Sequence, residues 1–319
     1  MSKRPFIIDC DTGTDDAIAI IAALGIEEMD IVGITSVNGN VGERYTSANN
    51  LDLMEYLGYD IPVAHGAILP LSGKKDTATD ARIHGQKGLG SVILPDAVNS
   101  NFDERIASRF IYEEAKKRNG ELELLVLGPM TNIAICVIQY PDFREYIKHI
   151  YFMGGSTVGG NINSTAEFNI WADPEACHTV LNSGIPLTMV GLNVSNQAMM
   201  YQKDAELIKG FDSKESDIVS ELIIYMMHRW TALQGARMHD PLALASAFCP
   251  ECLKFESYFT DAECTGTYTR GHTFADLKRK TGNKENVDIA VEVDVERFKN
   301  WLTEMIRNAS IKGKRMRKE

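Results

Sequence analysis

The sequence of 319 residues predicts an α/β fold: one domain built on a mostly parallel open sheet with helices on both faces. Two observations predict this fold. Short apolar runs alternate with helix-like segments, as expected when parallel strands are joined by crossover helices. No linker or internal repeat divides the chain, so we expect a single domain over residues 1–319.

The N-terminal segment predicts the first strand, loop and helix. An apolar run from Phe6 leads into an acidic loop, and an apolar-rich segment over residues 17–24 can form a helix. Alternation this regular is typical of a Rossmann-like sheet. The later elements are predicted as strand 30–37, helix Glu43–Leu57, strand 62–65, loop 68–90, helix 103–117, strand 122–127, helix Thr131–Gln139, strand 149–153, a helix that starts at Asp173-Pro174-Glu175, and strand 186–190.

The second half of the chain is less regular. A helix is predicted over about residues 216–232, and His239-Asp240-Pro241 predicts the start of another. Residues 255–269 and 287–295 have the pattern of late, antiparallel strands. We expect residues 195–238 to form a peripheral helical part over the site, and residues 312–319 to form a basic, solvated tail.

Four aspartates, Asp9, Asp11, Asp15 and Asp16, lie within eight residues of the N-terminal segment. Side chains two apart on a strand share a face, so Asp9 and Asp11 are expected to point the same way. Four like charges this close repel one another unless a cation or a network of donors offsets them. All-oxygen ligands favour calcium or magnesium over zinc, which predicts a metal or phosphate-type site.

Helix capping is the alternative explanation for part of this acidic segment. Asp15 and Asp16 stand where the loop enters the helix, where acids can cap it and complement its dipole. Capping does not explain Asp9 and Asp11 at the end of an apolar strand. In doubly wound sheets ligands bind beyond the carboxyl ends of the strands, where this loop would lie.

Composition excludes several classes of protein. The formal charge of −11 argues against a nucleic-acid binder, because phosphate recognition needs a basic face. The longest apolar run, residues 17–24, is far shorter than the ~20 residues that span a bilayer, so no membrane segment is expected. Six scattered cysteines and the lack of a signal-like N-terminus predict a cytoplasmic protein. Cys249-Pro-Glu-Cys252 fits no zinc motif, and ordinary buried thiols are the favoured interpretation.

The acidic segment Asp9-Cys-Asp-Thr-Gly-Thr-Asp-Asp-Ala closely resembles the N-terminal signature of the inosine-uridine preferring nucleoside hydrolase family. Members of that family are ribohydrolases that cleave the N-glycosidic bond of nucleosides. The resemblance covers nearly the whole chain, because further family motifs follow in the family's order. These motifs are Val37-Asn38-Gly39-Asn40, Ile83-His84-Gly85, Gly128-Pro129-Met130-Thr131-Asn132, Asn161 with Ala166-Glu167-Phe168-Asn169, and His239-Asp240-Pro241.

The resemblance implies a calcium site and a residue that activates the attacking water. In the enzymes that this chain resembles, Ca²⁺ is held by carboxylates that match Asp11, Asp16 and Asp240 and by a backbone carbonyl that matches Leu127. The residue that matches Asp11 also activates the nucleophilic water. Calcium tolerates irregular coordination and can accept two ribose hydroxyls as ligands, which suits this chemistry.

The resemblance also implies a substrate site. Nucleoside hydrolysis passes through an oxocarbenium-like ribosyl group, and the leaving base develops negative charge. His84 and His239 match positions near the base, and either imidazole is a candidate proton donor to it. The positions that bind the ribose hydroxyls match Asp15, Asn40, Asn161, Glu167 and Asn169.

Two other functions fit part of the pattern. Asp9-Cys-Asp-Thr-Gly-Thr also resembles the DxDxT loop of magnesium-dependent haloacid-dehalogenase-like phosphatases, which leaves the later motifs unexplained. The chain could instead be a calcium-stabilised nucleoside-binding protein without turnover, although every expected catalytic carboxylate is present. Relatives are commonly dimers or tetramers, so a homodimer or homotetramer with a role in purine or pyrimidine salvage is expected by analogy.

Overall fold

The structure is a computed structural model that describes residues 3–73, 81–229 and 235–318. Its centre is an eight-stranded sheet whose strands are joined mainly by helices. The described residues form these strands: β1 Arg4–Cys10, β2 Met29–Ser36, β3 Val63–Ala64, β4 Leu122–Val126, β5 Ile147–Met153, β6 Leu187–Val190, β7 Met199–Met200, β8 Ala236–Arg237, β9 Leu253–Tyr258, β10 Thr260–Ala262, β11 Thr273–Ala275 and β12 Val287–Val293.

The helices follow the strands in regular alternation through the first half of the chain. The described residues form these helices: α1 Thr14–Leu24, α2 Glu43–Leu57, α3 Ala81–His84, α4 Ala107–Lys117, α5 Thr131–Gln139, α6 Phe168–Ala172, α7 Pro174–Leu181, α8 Leu192–Ser195, α9 Gln202–Lys209, α10 Lys214–Arg229, α11 His239–Phe248 and α12 Val295–Met316. Short 3₁₀ helices lie at Phe143–Glu145 and Pro250–Cys252.

The strand order in the central sheet is β3-β2-β1-β4-β5-β6-β12-β9. All neighbouring pairs are parallel except β12 and β9, which are antiparallel. Two further antiparallel pairs, β10 with β11 and β7 with β8, lie outside this sheet. The predicted mostly parallel α/β sheet with late antiparallel additions is therefore confirmed.

Helices cover both faces of the sheet because alternate β1 side chains feed two separate hydrophobic cores. Phe6 and Ile8 belong to the core that contains the apolar faces of α1, α10, α11 and α12. Ile7 belongs to the core formed with α4, α5 and α7. The chain order reverses between β1 and β4, which creates a crevice at their carboxyl ends, the usual ligand position in a doubly wound sheet.

Several elements begin or end at other residues than the sequence predicts. Strand ends differ by one or two residues, as is normal for sequence-based boundaries. α1 begins at Thr14 rather than residue 17, because the Asp16 carboxylate accepts the Gly13 N–H at 2.9 Å and satisfies a free donor of the first turn. The predicted loop 68–90 contains the short helix α3, and its residues 74–80 lie outside the described residues.

Two predicted elements were wrong over part of their length. The helix predicted from residue 103 starts at Ala107, because the Asp103 carboxylate instead binds the backbone N–H and the guanidinium of Arg105 in a local turn. The single strand predicted over residues 255–269 is split into β9 and β10, followed by a turn. The split occurs where Thr260 donates its backbone N–H to the Asn286 side chain rather than to β12.

The C-terminal residues that the structure describes continue a helix, although most of their side chains are exposed. α12 continues through Met316, and Arg317 forms a two-pronged ion pair with the buried carboxylate of Glu215 at 2.8 Å. Arg317 also donates to the carbonyl of Leu57 at the end of α2. These contacts fix the end of the chain against α2 and α10.

Residues 195–238 contain α9, α10 and the small β7–β8 pair. The prediction that this segment forms a separate peripheral part, like the prediction of one domain, stays a prediction. The predicted end of the helix at residue 232 falls outside the described residues. Among the helices of residues 3–73, 81–229 and 235–318, none combines the length and the apolar character needed to cross a bilayer.

Candidate active site

One cavity of about 170 Å³ opens at the carboxyl ends of β1 and β4, where the crevice of the sheet lies. Every residue that the resemblance assigns to the site lies in its wall except Asp16, which is fully buried. The residues that line the cavity are Asp11, Thr14, Asp15, Asn40, Ile83, His84, Leu127, Met153, Asn161, Ile162, Glu167, Phe168, Asn169, Met226, Arg237, His239 and Asp240.

Three buried carboxylates form the cluster best arranged to hold a metal ion. One carboxylate oxygen each of Asp15, Asp16 and Asp240 lie within 4.8 Å of one another. Asp16 Oδ1 is buried and has no hydrogen-bond partner among the described residues. A buried, unpartnered carboxylate oxygen beside two further acids fits a hard cation, because carboxylates are its preferred ligands. The donor set therefore accommodates an ion.

The cluster differs from the predicted ligand set in one acid. Asp16 and Asp240 belong to both, but the cluster contains Asp15 where the resemblance implies Asp11. Asp11 lines the same cavity, and its Oδ2 accepts the backbone N–H of Asn40 at 2.6 Å. Asn40 also donates from its side-chain amide to Asp16 Oδ2 at 3.1 Å. The loop after β2 thus orients both acids.

Burial makes the acids of the cavity reluctant to ionise when they are not compensated. It raises the pKa of Asp11 well above its usual value, and the charge of Asp16 adds to that rise. Burial, followed by the Asp16 charge, raises the pKa of Asp15 to about 7. Burial also raises the pKa of Asp240 strongly, with further contributions from its acidic neighbours. A cation would reverse this effect by favouring the charged carboxylates.

Asp9 does not join this cluster, although the sequence groups it with the other acids. Its carboxylate accepts from Thr35 Oγ1 at 2.5 Å and from Asn132 Nδ2 at 2.7 Å. Asn132 also donates to the carbonyl of Ser36 at 2.9 Å. Asp9 therefore links β1 to β2 and α5, and these hydrogen bonds hold in place the strand that precedes Asp11.

The cavity wall also carries two amides and a further carboxylate, from Asn161, Asn169 and Glu167. Glu167 caps α6, with Oε1 accepting from the Asn169 N–H at 2.9 Å. Glu167 Oε2 accepts from the Gly155 N–H at 3.0 Å. Burial raises the pKa of Glu167 to about 7. Glu167 is therefore both the cap of α6 and a residue of the cavity wall.

Asn161 and Asn169 are fixed by their own hydrogen bonds. Asn161 Oδ1 accepts the Phe168 N–H at 2.9 Å, which orients its amide NH₂ group away from that contact. Asn169 Nδ2 donates to the Leu127 carbonyl at 2.7 Å and to the Met153 carbonyl at 3.2 Å. The predicted Leu127 carbonyl is thus on the cavity wall, with one lone pair directed to Asn169.

Two histidines line the same cavity. His84 Nδ1 lies 3.4 Å from the Thr14 backbone nitrogen and 3.3 Å from Thr14 Oγ1. His239 Nδ1 lies 2.8 Å from Ser195 Oγ. Burial, with the nearby Arg237 and His84, lowers the pKa of His239 to about 3, so this ring is neutral near pH 7. A neutral ring does not favour His239 as the proton donor, and its assignment stays a prediction.

Sequence reasoning missed several residues of the cavity wall. Phe168 and Met226 supply apolar surface, and Arg237 supplies a positive charge two residues before His239. The signal for Phe168 was its position between Glu167 and Asn169. Met226 is both largely buried and part of the wall. Arg237 gave no periodic signal, because β8 has only two residues.

Comparisons with known proteins agree with this geometry. Residues 6–300 match the family model described as inosine-uridine preferring nucleoside hydrolase. The chain is 35% identical over 312 residues to the pyrimidine-specific ribonucleoside hydrolase RihA of Escherichia coli, covering 95% of this chain and 98% of that protein. It is 36% identical over 311 residues to RihA of Salmonella typhimurium, with the same coverage.

Solved structures give the same result at the level of the fold. A purine-preferring ribonucleoside hydrolase from Gardnerella vaginalis superimposes with a TM-score of 0.90 at 32% identity, covering 96% of this chain and 99% of the other. The plant nucleoside hydrolase PpNRh1 superimposes with a TM-score of 0.89 at 29% identity, covering 95% and 98% of the two chains.

The acid-lined cavity lies at the crevice between β1 and β4, as expected for an α/β enzyme of the doubly wound class. The matches identify the family. The chain belongs to the inosine-uridine preferring nucleoside hydrolase family, whose members are nucleoside N-ribohydrolases. The enzyme class expected from the sequence is therefore confirmed. The phosphatase alternative is wrong, because the match extends over nearly the whole chain rather than over the DxDxT-like segment alone.

Proposed function

We propose that this chain hydrolyses the N-glycosidic bond of inosine- and uridine-type ribonucleosides, with Ca²⁺ in the acid cluster, to give ribose and the free base. The observation that carries the proposal is that the acids and the fixed amides lie in one cavity. A polyol needs several polar partners in fixed positions, and Asn161, Glu167 and Asn169 offer them opposite the aspartates.

Asp11, Asp16, Asp240 and the Leu127 carbonyl are the ligands that we propose for the ion. The unpartnered Asp16 Oδ1 supports a cation there, and so do the raised pKa values of Asp11, Asp16 and Asp240. When bound, Ca²⁺ supplies positive charge that offsets the carboxylates and accepts oxygen ligands from the substrate. The cluster found around Asp15 supports the same place in the cavity, with Asp15 shared between ion and ribose.

The ribose is proposed to lie between the aspartates and the amide wall. Asp15 and Asn169 accept or donate hydrogen bonds at one edge of the sugar, and Asn161 and Glu167 do so at the other. Asn40 completes the set from the loop after β2. These contacts hold the sugar while the C1′–N bond lengthens, and they favour the oxocarbenium-like geometry when they strengthen in the transition state.

Asp11 is the proposed general base. Its Oδ2 is held by the Asn40 N–H, and its carboxylate faces the cavity, where a water molecule can approach C1′. The carboxylate accepts the proton of that water as the oxygen bonds to C1′. We propose that His84 and His239 contact the base on the other side, and that one of them is the leaving-group acid, as the resemblance implies.

Metal analysis combined with an assay of ribose release tests this proposal. We expect about one calcium per chain in active protein, loss of ribose release after extensive chelation, and recovery when Ca²⁺ alone is returned. Uridine and inosine are both needed, because relatives are named for either kind of base. Full activity in protein shown to be free of calcium would reject the ion assignment.

The remaining proposals concern the context of the enzyme. We propose a homodimer or homotetramer that acts in nucleoside salvage, by analogy with relatives. The six cysteines are all free thiols in the structure, which supports a reducing compartment such as the cytoplasm. Light scattering on the eluting protein tests the oligomer, and a monomer at micromolar concentration would reject it.

A further inference from the structure

Arg237 lies in the wall of the cavity, and its side chain forms no hydrogen bond or ion pair with the residues that the structure describes. It lies in β8, which pairs with β7 and leads directly into α11 with His239 and Asp240. Its Nε is buried and has no hydrogen-bond partner among the described residues. The ion pairs formed by the described part of the chain do not include its guanidinium either, although four carboxylates line the same cavity.

A partly buried guanidinium without acceptors is costly, because it loses water without gaining a partner. Such a group persists where a ligand supplies the acceptor. Arg237 lies two residues before His239, which is proposed to contact the base, and both residues line the cavity. The acid cluster and the amides are instead the groups proposed to bind the ion and the ribose. The missing acceptor is therefore expected on the base rather than on the sugar.

We propose that Arg237 contacts the nucleobase and donates hydrogen bonds to it as it departs, stabilising the negative charge that develops there. This inference rests on the proposed hydrolysis of nucleosides. The C1′–N bond breaks and its electron pair stays on the base nitrogen. The water oxygen bonds to C1′ and one water proton passes to Asp11. The base gains one proton from the leaving-group acid, which the proton on Asp11 restores, so that ribose and the protonated base are the only products.

An arginine assists departure in a different way from a histidine acid. The guanidinium stays charged throughout the accessible pH range, so it donates hydrogen bonds without giving up its proton. Its contribution to leaving-group departure does not titrate near neutral pH. A histidine that donates a proton loses that ability above its own pKa. The pH dependence of leaving-group assistance therefore distinguishes the two.

The test compares two kinds of substrate in wild-type protein and in Arg237→Gln and Arg237→Lys. Uridine and inosine have poor leaving groups, whereas 4-nitrophenyl riboside releases a stable phenolate that needs little help. We expect Arg237→Gln to lower kcat/KM about 100-fold on the nucleosides, as for loss of one donor to a developing anion, and less than about threefold on the nitrophenyl riboside. Arg237→Lys keeps the charge without the planar guanidinium. Its kcat/KM on the nucleosides should therefore be about tenfold higher than that of Arg237→Gln, or more.

The ratio of kcat/KM for uridine to that for 4-nitrophenyl riboside isolates leaving-group assistance. We expect Arg237→Gln to lower this ratio by the same factor at every pH between about 6 and 9, because the guanidinium stays charged throughout that range. Arg297→Gln, an exposed arginine at the start of α12, is the matched control and should match wild type on both substrates.

The outcomes separate this inference from the function on which it rests. Parallel losses on both substrates, or no loss, would overturn the role of Arg237 while nucleoside hydrolysis stands. An effect of Arg237→Gln on this ratio that disappears above a midpoint near neutral pH would assign the assistance to a titrating acid instead. Wild-type protein that releases no ribose from any nucleoside would overturn the proposed function and this inference together.

Discussion

The backbone N–H of Asn40 lies 2.6 Å from Oδ2 of Asp11. Asn40 belongs to the loop after β2, whereas Asp11 follows β1, so the contact joins the ends of two neighbouring parallel strands. Gly39 precedes Asn40 and passes so close to Asp11 that a Cβ there would stand 2.0 Å from Oδ2. The position of the proposed general base is therefore set by the backbone of the adjacent loop.

Gly39→Ala should impair turnover because the added methyl group collides with the Asp11 carboxylate. The carboxylate or the loop must move, and misplacement of a catalytic group by about 1 Å costs on the order of 100-fold in rate. We expect kcat to fall by that order on every substrate, measured by ribose release. Gly42→Ala is the matched control, since its Cβ would meet nothing within 4 Å, and equal activity in both variants would contradict the account.

Asp11→Asn should abolish turnover on every substrate. The amide cannot accept the proton of water and is a weaker ligand for a hard cation, so we expect a loss of at least ~1000-fold in kcat. The loss should be similar for uridine, inosine and 4-nitrophenyl riboside, because water attack is common to all three. A loss below about tenfold, in protein with an unchanged thermal midpoint, would remove Asp11 from the role of base.

The sugar specificity should be strong. Asp15, Asn161, Glu167 and Asn169 are proposed to bind ribose hydroxyls, and buried polar groups left without a partner penalise an analogue that lacks the hydroxyl. We expect 2′-deoxyuridine and 2′-deoxyinosine to be cleaved at least ~100-fold less efficiently than the ribonucleosides. Competition assays that measure kcat/KM directly are the suitable readout, and equal values for uridine and deoxyuridine would refute the proposed hydroxyl contacts.

Glu114 should stabilise the fold in a pH-dependent way, independently of the active site. Burial raises its pKa, but hydrogen bonds from Lys117, Arg118 and Arg105 outweigh that effect and lower it to about 2. The unfolded chain protonates this carboxyl near its ordinary pKa of about 4.5. The stabilisation is therefore fully present above that pKa and is lost as the pH falls through about 2.

Glu114→Gln tests this stabilisation. We expect the thermal midpoint to fall at pH 7, by the equivalent of about 1–2 kcal/mol after allowing for solvent screening of its partners. The difference from wild type should shrink as the pH is lowered from about 5 toward 3. Glu121→Gln removes an exposed pair with Lys148 and should change little. A constant difference between Glu114→Gln and wild type across this range would contradict the assigned pKa.

Much of the fold could be predicted because strand and helix signals in the first half of the chain are local. The continuous apolar run from Phe6 and the pattern of Glu43–Leu57 need no distant partner to be recognised. The failures occurred where a distant residue decides the structure. Thr260 is turned by the Asn286 side chain, and Arg317 is held by Glu215, neither of which is visible in local sequence.

The candidate site shows the same difference between local and distant determinants. Residues that share a motif, such as Asp15 and Asp16, lie close together at the cavity, because the motif carries their spacing. The diversion of Asp9 to Thr35 and Asn132 depends on pairing between strands and could not be predicted from spacing. Arg237 was missed because it belongs to a two-residue strand whose environment is set only by the folded chain.

Hydrolysis itself is tested most directly by measuring both products in the absence of phosphate. Purified wild-type protein with Ca²⁺ is incubated with uridine or inosine, and ribose is assayed as reducing sugar while the free base is measured by chromatography. The account predicts that ribose and base appear in equal amounts, and that Asp11→Asn produces neither at a comparable rate. Nucleoside that binds the wild-type protein but stays intact would contradict the account and would favour a nucleoside-binding protein without turnover.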